Sequence, residues 1–288
     1  MNRIFNAAIA AIALTLPALS QSAFAQDRFT ATVTGQGPDV ILIPGLASSG
    51  DVWDATVKQL SPTHRVHVIQ VSGFAGAPAN GNAEGDVIKP LAAEIAAYAA
   101  KLDHPALIGH SIGGLMALEI AAATPDAISR VLVVDALPFY SLLYGPTATS
   151  EAAMPFAEQA RTQILAMTDT QFAAAQTQTM AMMSNIEAMR PTLIDWSLRS
   201  DRRVMAQAMY DAMIDDARPL LPAIKASLTV LYAWDATMGQ PQELADDTFQ
   251  GAYAGMPAAK LTRIDGSFHF IMLDQPAAFA AAVIAFLN

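Results

Sequence analysis

Short apolar runs alternate along the chain with longer stretches in which apolar positions recur every three or four residues. Residues 29–34 alternate apolar and polar and end at Gly35-Gln36-Gly37-Pro38, a strand closed by a turn. Residues 40–43, 65–71, 106–109, 129–134, 227–233 and 260–264 are further β-rich runs, with stops such as Pro44-Gly45 and Ser72-Gly73. Several are apolar throughout, as strands of a parallel sheet buried on both faces are. The spacing predicts helices at 52–60, at 86–101 (with Leu91, Ile95 and Tyr98 on one face), at 112–123, and at 276–287, which opens on a proline. Alternating strands and helices predict an α/β fold with helices on both faces of the sheet.

Two segments depart from the alternation. Residues 136–222 have helical composition, lie between two predicted strands and hold nine of the fourteen methionines, Met180, Met183, Met205 and Met209 among them. Helices inserted there are predicted to form a lid. The polarizable, adaptable methionines suit a pocket for apolar groups, and they equally suit the seam between lid and sheet. Residues 1–25 read as a secretory signal peptide: Arg3, an apolar run over 7–16, then Ala23-Phe24-Ala25 as a small-x-small cleavage site. Cleavage after Ala25 would leave Gln26 first. The apolar run falls short of the roughly 20 residues a membrane-spanning helix needs, so no stable membrane insertion is expected after the signal is removed. The predicted organisation is therefore a signal peptide at 1–25, a core at 26–135 and 223–288, and a lid at 136–222, in an exported, periplasmic or secreted protein.

A net charge of −10 argues against nucleic acid or an anionic membrane as partner. Cysteine is absent, which excludes disulfides, a thiolate nucleophile and a zinc–thiolate site. The remaining nucleophile candidates are hydroxyls, carboxylates and lysines. No two histidines have helical metal-ligand spacing, so no metal site is expected.

Gly109-His110-Ser111-Ile112-Gly113-Gly114 lies between a predicted strand and a predicted helix. In that setting G-x-S-x-G makes a sharp elbow that lifts the serine hydroxyl above the sheet edge. Ser111 is the candidate nucleophile. It needs a base, and His269, after the strand at 260–264, sits at a strand's carboxyl end, where such sheets place their chemistry. His110 reads as support within the elbow; His64, His67 and His104 read as surface or packing residues. An acid must hold the base in its working tautomer. Asp235, after the strand at 227–233, is the preferred choice, and Asp135, one strand earlier, is its rival. Asp265 reads as a turn residue. The oxyanion donors are expected to be the backbone N–H groups of Ile112 and Leu46, while Ser48 or Ser49 caps the helix starting near Asp51.

These residues, with Ile43-Pro44-Gly45, Ser72-Gly73-Phe74-Ala75-Gly76 and His269-Phe270-Ile271-Met272-Leu273-Asp274-Gln275-Pro276, resemble the lidded single-domain branch of the α/β-hydrolase superfamily. The resemblance runs from Phe29 to Asn288. It implies an α/β-hydrolase fold with a mostly parallel eight-stranded sheet, a helical lid after the sixth strand, and no cofactor. The superfamily usually has His-Gly where this chain has Pro44-Gly45. A serine at the elbow disfavours dehalogenase and epoxide hydrolase chemistry, which in resembling families uses aspartate. The expected activity is hydrolysis of a small-molecule carboxylic ester with an apolar acyl or alcohol group. Lactone, amide or carbon–carbon bond hydrolysis with the same triad is an alternative, as is a binding or receptor protein with slow turnover.

Overall fold

Strand β3 (Asp39–Ile43) shows how the apolar runs become a two-sided sheet: all five residues are buried, yet they serve different faces. Ile41 and Ile43 join one apolar cluster, and Val40 and Leu42 join the other. Side chains alternate across a strand, so a continuous apolar run feeds two cores. The computed structural model describes the backbone from residue 22 and side chains from residue 26. Residues 1–21, which carry most of the expected signal peptide, lie outside the described residues.

From Phe29 onward seven strands form the sheet: β2 (Phe29–Thr34), β3, β4 (Arg65–Val71), β5 (Ala106–His110), β6 (Arg130–Val134), β7 (Ser227–Trp234) and β8 (Lys260–Asp265). Their order is β2-β4-β3-β5-β6-β7-β8, and β3 to β8 run parallel, while β2 pairs with β4 antiparallel. An edge strand β1 (Ser22–Ala25) pairs antiparallel with β2, although the sequence assigns those four residues to the cleaved leader. Helices α1 (Asp54–Leu60), α2 (Ile88–Ala99) and α3 (Ile112–Ala123) follow strands β3, β4 and β5. Helix α3 has ten buried residues of its twelve and is the central helix of one face. Its close seating depends on Gly113, where a Cβ would collide with the Ile43 carbonyl oxygen.

The predicted helix at 52–60 begins instead as a 3₁₀ turn (Gly50–Trp53), with Ser49 accepting from the Asp51 N–H as the expected cap. Helix α8 (Gln242–Ala252), which is not among the predicted helices, has only Ala245 and Ala252 buried. Two C-terminal helices, α9 (Ile271–Asp274) and α10 (Pro276–Leu287), close the other face.

Four helices lie between β6 and β7: α4 (Ser150–Ala166), α5 (Asp169–Met183), α6 (Arg190–Arg199) and α7 (Arg202–Ile214). Hydrogen bonds fasten their junctions to loops of the sheet's carboxyl edge. Between α5 and α6, the Ser184 hydroxyl donates to Asp274 (2.6 Å) and the Asn185 amide to the Gly266 carbonyl (2.8 Å). Between α6 and α7, Ser200 Oγ accepts from the Ala75 N–H (2.8 Å), and the Asp201 N–H donates to the Gly73 carbonyl (2.7 Å). Further along, Asp211 of α7 accepts from the Val87 and Ile88 N–H groups at the start of α2. No described helix is long and apolar enough to cross a membrane.

Candidate active site

β5 ends at His110 and α3 begins at Ile112, leaving Ser111 alone in the turn with φ 54° and ψ −129°. A non-glycine residue rarely adopts positive φ, and such strain persists only where surrounding structure enforces it. Here the enforcement is visible: the Ser111 N–H donates to the Val134 carbonyl (2.9 Å), and the loop after β3 presses against the side chain. A Cβ on Gly45 would stand 2.8 Å from His110 Nδ1 and 3.1 Å from Ser111 Cβ. Glycine at 45 therefore lets that loop turn over the serine. Residues 45–48 form a turn closed by the Ser48 N–H to the Gly45 carbonyl (3.2 Å), with Ala47 at φ 56°. The N–H groups of Leu46 and Ile112 donate to no protein acceptor among the described residues, so both are available to an oxyanion.

The neighbouring strand ends in the same way. Asp135 follows β6 with φ 48°, its N–H donating to the Leu231 carbonyl (2.8 Å). Its carboxylate is held at both oxygens: Oδ1 accepts from the Ala233 N–H (2.8 Å) and Oδ2 meets His269 Nδ1 at 2.7 Å. The Ala233 amide can only donate, so the carboxylate is the acceptor on both sides and His269 Nδ1 carries the proton. His269 Nε2 is then the basic nitrogen. Asp135 and His269 side chains are 16% and 21% exposed, enough shielding to strengthen the pair.

The preferred acid, Asp235, is corrected by this geometry. Its carboxylate caps a 3₁₀ turn (Ala236–Met238), accepting from the Thr237 N–H and hydroxyl, bonds that hold its pKa below the usual carboxylate range. The reason is strand length. Val134 pairs with Leu231, yet β7 runs on to Trp234, so its tip overshoots the end of β6 by three residues. At about 3.3 Å per residue, Asp235 stands ~10 Å beyond the layer that holds Asp135. Asp135, the rival, is the residue the structure brings to His269.

His110 donates from Nε2 to the His269 carbonyl (3.0 Å), its ring 4.6 Å from the other histidine's. Burial pulls its pKa well below the usual imidazole value, and the nearby His269 adds to this, so it is a neutral prop beneath the base. His67 is buried between Asp39 (2.8 Å) and the Tyr98 hydroxyl (2.6 Å), whereas the side chains of His64 and His104 bond their chain neighbours Thr63 and Asp103. Among the described residues no group of three acids and histidines is placed to hold a metal ion.

Two residues of the site escape sequence reasoning. Asp274 accepts from the Phe268 N–H (2.8 Å) and the Ser184 hydroxyl, fixing the backbone beside His269 to the inserted helices. Its sequence signal is its place in the run from His269 to Pro276, which assigns it no role. The Tyr140 hydroxyl lies 3.5 Å from Ser111 Oγ, donating to it; nothing in the sequence marks it beyond its position five residues after Asp135.

A strained serine at a strand–helix elbow, unpaired amides beside it and a carboxylate-held histidine can together perform acyl transfer. Comparison with known proteins places the chain in context. The description of the alpha/beta hydrolase family matches residues 40–282. Over 106 residues the chain is 35% identical to the pimeloyl-[acyl-carrier protein] methyl ester esterase of Aeromonas hydrophila, covering 37% of this chain and 41% of that protein. The chain thus spans about two fifths of the length of the curated relatives it matches. The enol-lactonase of Burkholderia xenovorans superposes with a TM-score of 0.70 at 20% identity, over 90% of this chain and 96% of the other. A thermophilic esterase from Thermogutta terrifontis does so with a TM-score of 0.70 at 18% identity, over 93% and 98%. These structural likenesses speak for the fold alone. The match over 40–282, on a sheet of the corresponding order with its serine elbow in place, makes this chain a member of the alpha/beta hydrolase family.

Proposed function

We propose that the protein is a serine esterase that cleaves carboxylic esters through an acyl-enzyme on Ser111, with His269 as base and Asp135 as its orienting acid. The observation that carries this reading is the 2.7 Å bond from His269 to Asp135, one strand from the Ser111 elbow. Ser111 Oγ attacks the ester carbonyl as its proton passes to His269 Nε2. The carbonyl oxygen, now an oxyanion, takes the N–H groups of Leu46 and Ile112. His269 gives that proton to the departing alcohol, and a water activated by the same nitrogen then releases the acid. Ester hydrolysis is also the activity named for the curated relatives.

Residues 136–222 serve in this reading as a lid, and the acyl group is apolar. Phe172 and Met205 from the inserted helices cluster with Ala47, and Leu46, Ile164 and Met167 pack against them. That apolar seam lies on the loop that offers the Leu46 amide. The test is labelling of intact protein by a fluorophosphonate, with the adduct located by mass spectrometry, beside hydrolysis of activated esters of increasing acyl length. The expected result is a single adduct on Ser111 and rates that rise with acyl length. A protein that turns over esters but carries the adduct elsewhere overturns the assignment, and one burst without turnover turns it toward a binding protein.

Export is proposed on the sequence of residues 1–25. Cleavage after Ala25 would remove β1 and leave β2 as the edge strand. N-terminal sequencing of protein expressed with its own leader is expected to begin at Gln26; a product beginning at Met1 and retained in the cytoplasm removes export from the reading.

A further inference from the structure

We propose that Tyr140 is a further catalytic residue, its phenol donating a hydrogen bond to Ser111 Oγ throughout the acylation and deacylation steps. The inference rests on the reading of Ser111 as nucleophile. Tyr140 begins a 3₁₀ turn (Tyr140–Tyr144) in the stretch that leads from Asp135 toward the inserted helices. Among the described residues its hydroxyl is the sole side-chain partner of Ser111 Oγ, at 3.5 Å.

The stretch is clamped from several directions, so the phenol is aimed in advance. The Ser141 hydroxyl donates to the Met213 carbonyl (2.6 Å), the Ala217 N–H to the Pro138 carbonyl (2.8 Å), and the Tyr253 hydroxyl to the Ala136 carbonyl (2.8 Å). Buried Phe139 lies under the Arg218 guanidinium at 4.9 Å. A donor held by its scaffold needs no reorganisation when charge develops.

The phenol also holds its proton. Burial raises the pKa of Tyr140 well above the usual phenol value; a hydrogen bond that the Ser111 hydroxyl could give the phenolate acts in the opposite sense, and the nearby Asp135 raises it further. Tyr140 therefore keeps a proton to donate to Ser111. The serine oxygen has one proton, directed to His269 Nε2 for reaction, and two lone pairs. Tyr140 serves a lone pair, and its bond strengthens as the proton leaves and Oγ becomes alkoxide-like. Once the C–Oγ bond has formed, the ester oxygen is a weak acceptor. The bond strengthens again in deacylation, when C–Oγ breaks and His269 returns a proton to Oγ. No proton leaves Tyr140 at any step. An interaction stronger in the transition state than in the ground state raises turnover rather than binding.

Tyr140→Phe keeps the ring and removes the donor. Its kcat is expected to fall about 10- to 100-fold with little change in KM, and fluorophosphonate labelling of Ser111 to slow by a similar factor. Parental kcat and labelling rate in a folded Tyr140→Phe overturn the proposal, as does a loss confined to KM. Replacing Tyr140 with tetrafluorotyrosine supplies a second test, because four ring fluorines acidify the phenol strongly enough to offset the upward pull of burial and bring its ionisation into the working range. Activity is expected to gain a high-pH limb absent from the parent; a superimposable profile overturns the proposal. Failure of the underlying reading looks different: Ser111→Ala would then keep its turnover, whatever Tyr140→Phe does.

Discussion

Asp135→Asn is expected to lower ester turnover by about 10³- to 10⁴-fold, while Asp235→Asn stays within about twofold of the parent. The first loss follows from the Ala233 amide. That N–H needs an acceptor, so the new side chain keeps its carbonyl oxygen there and turns its NH₂ toward His269. An NH₂ cannot accept from Nδ1–H. The imidazole must move its proton to Nε2 and can no longer take one from Ser111. Asp235, in contrast, only caps its own turn. Measuring kcat for both variants on one activated ester decides between the two acids. A collapse in Asp235→Asn with an active Asp135→Asn would restore the acid to β7.

The second large effect concerns stability and its dependence on pH. Glu119, 8% exposed on α3, has its pKa pushed up to about 9, first by burial and then by Asp215 at the end of α7. Lys89, 3.0 Å from Asp215, acts in the opposite direction. Glu119 Oε2 and Asp215 Oδ2 are both buried without another partner, which is the arrangement one shared proton would join. In the unfolded chain Glu119 ionises near 4.5. Between that value and about 9 the folded protein therefore binds the extra proton, and stability falls as pH rises, by up to ~1.4 kcal/mol per pH unit. Glu119→Gln supplies a permanent donor to Asp215 and removes this penalty. The variant is expected to gain on the order of 2–4 kcal/mol at pH 8 and to flatten the decline between pH 5 and 8. Urea midpoints at both pH values measure it; parallel pH profiles would show that Glu119 carries no shared proton.

The two acids also show which parts of the site a sequence reveals. Ser111 was legible because its signal is local: glycines, strand and helix adjoin within six residues. His269 was legible because a loop after the last strand has few other places to lead. The choice between Asp135 and Asp235 was not, because it depends on how far β7 outruns β6, a matter of pairing that no single run displays. Tyr140 reaches Ser111 across 29 residues of chain, and Asp274 reaches Ser184 across 90, through contacts that leave no periodic trace. The central strands appeared almost to the residue because continuous burial enforces apolar character, and β2 because one buried face makes it alternate. Helix α8 went unassigned although Leu244, Ala245, Phe249 and Ala252 recur at helical spacing, because its eleven residues bury only two alanines and contain no continuous apolar run.

The way the inserted helices are fastened sets a rule for ligand entry. Ser184 and Asn185 hold the loop that carries His269, and Ser200 and Asp201 hold the segment after β4, with Ser200 Oγ also within 3.5 Å of the Ala47 carbonyl. A cap swung away as one rigid body would pull on base and oxyanion loop together. In the proposed reading admission and competence are thus opposed: moving the inserted helices to admit a substrate loosens base and oxyanion loop, and reseating them restores both.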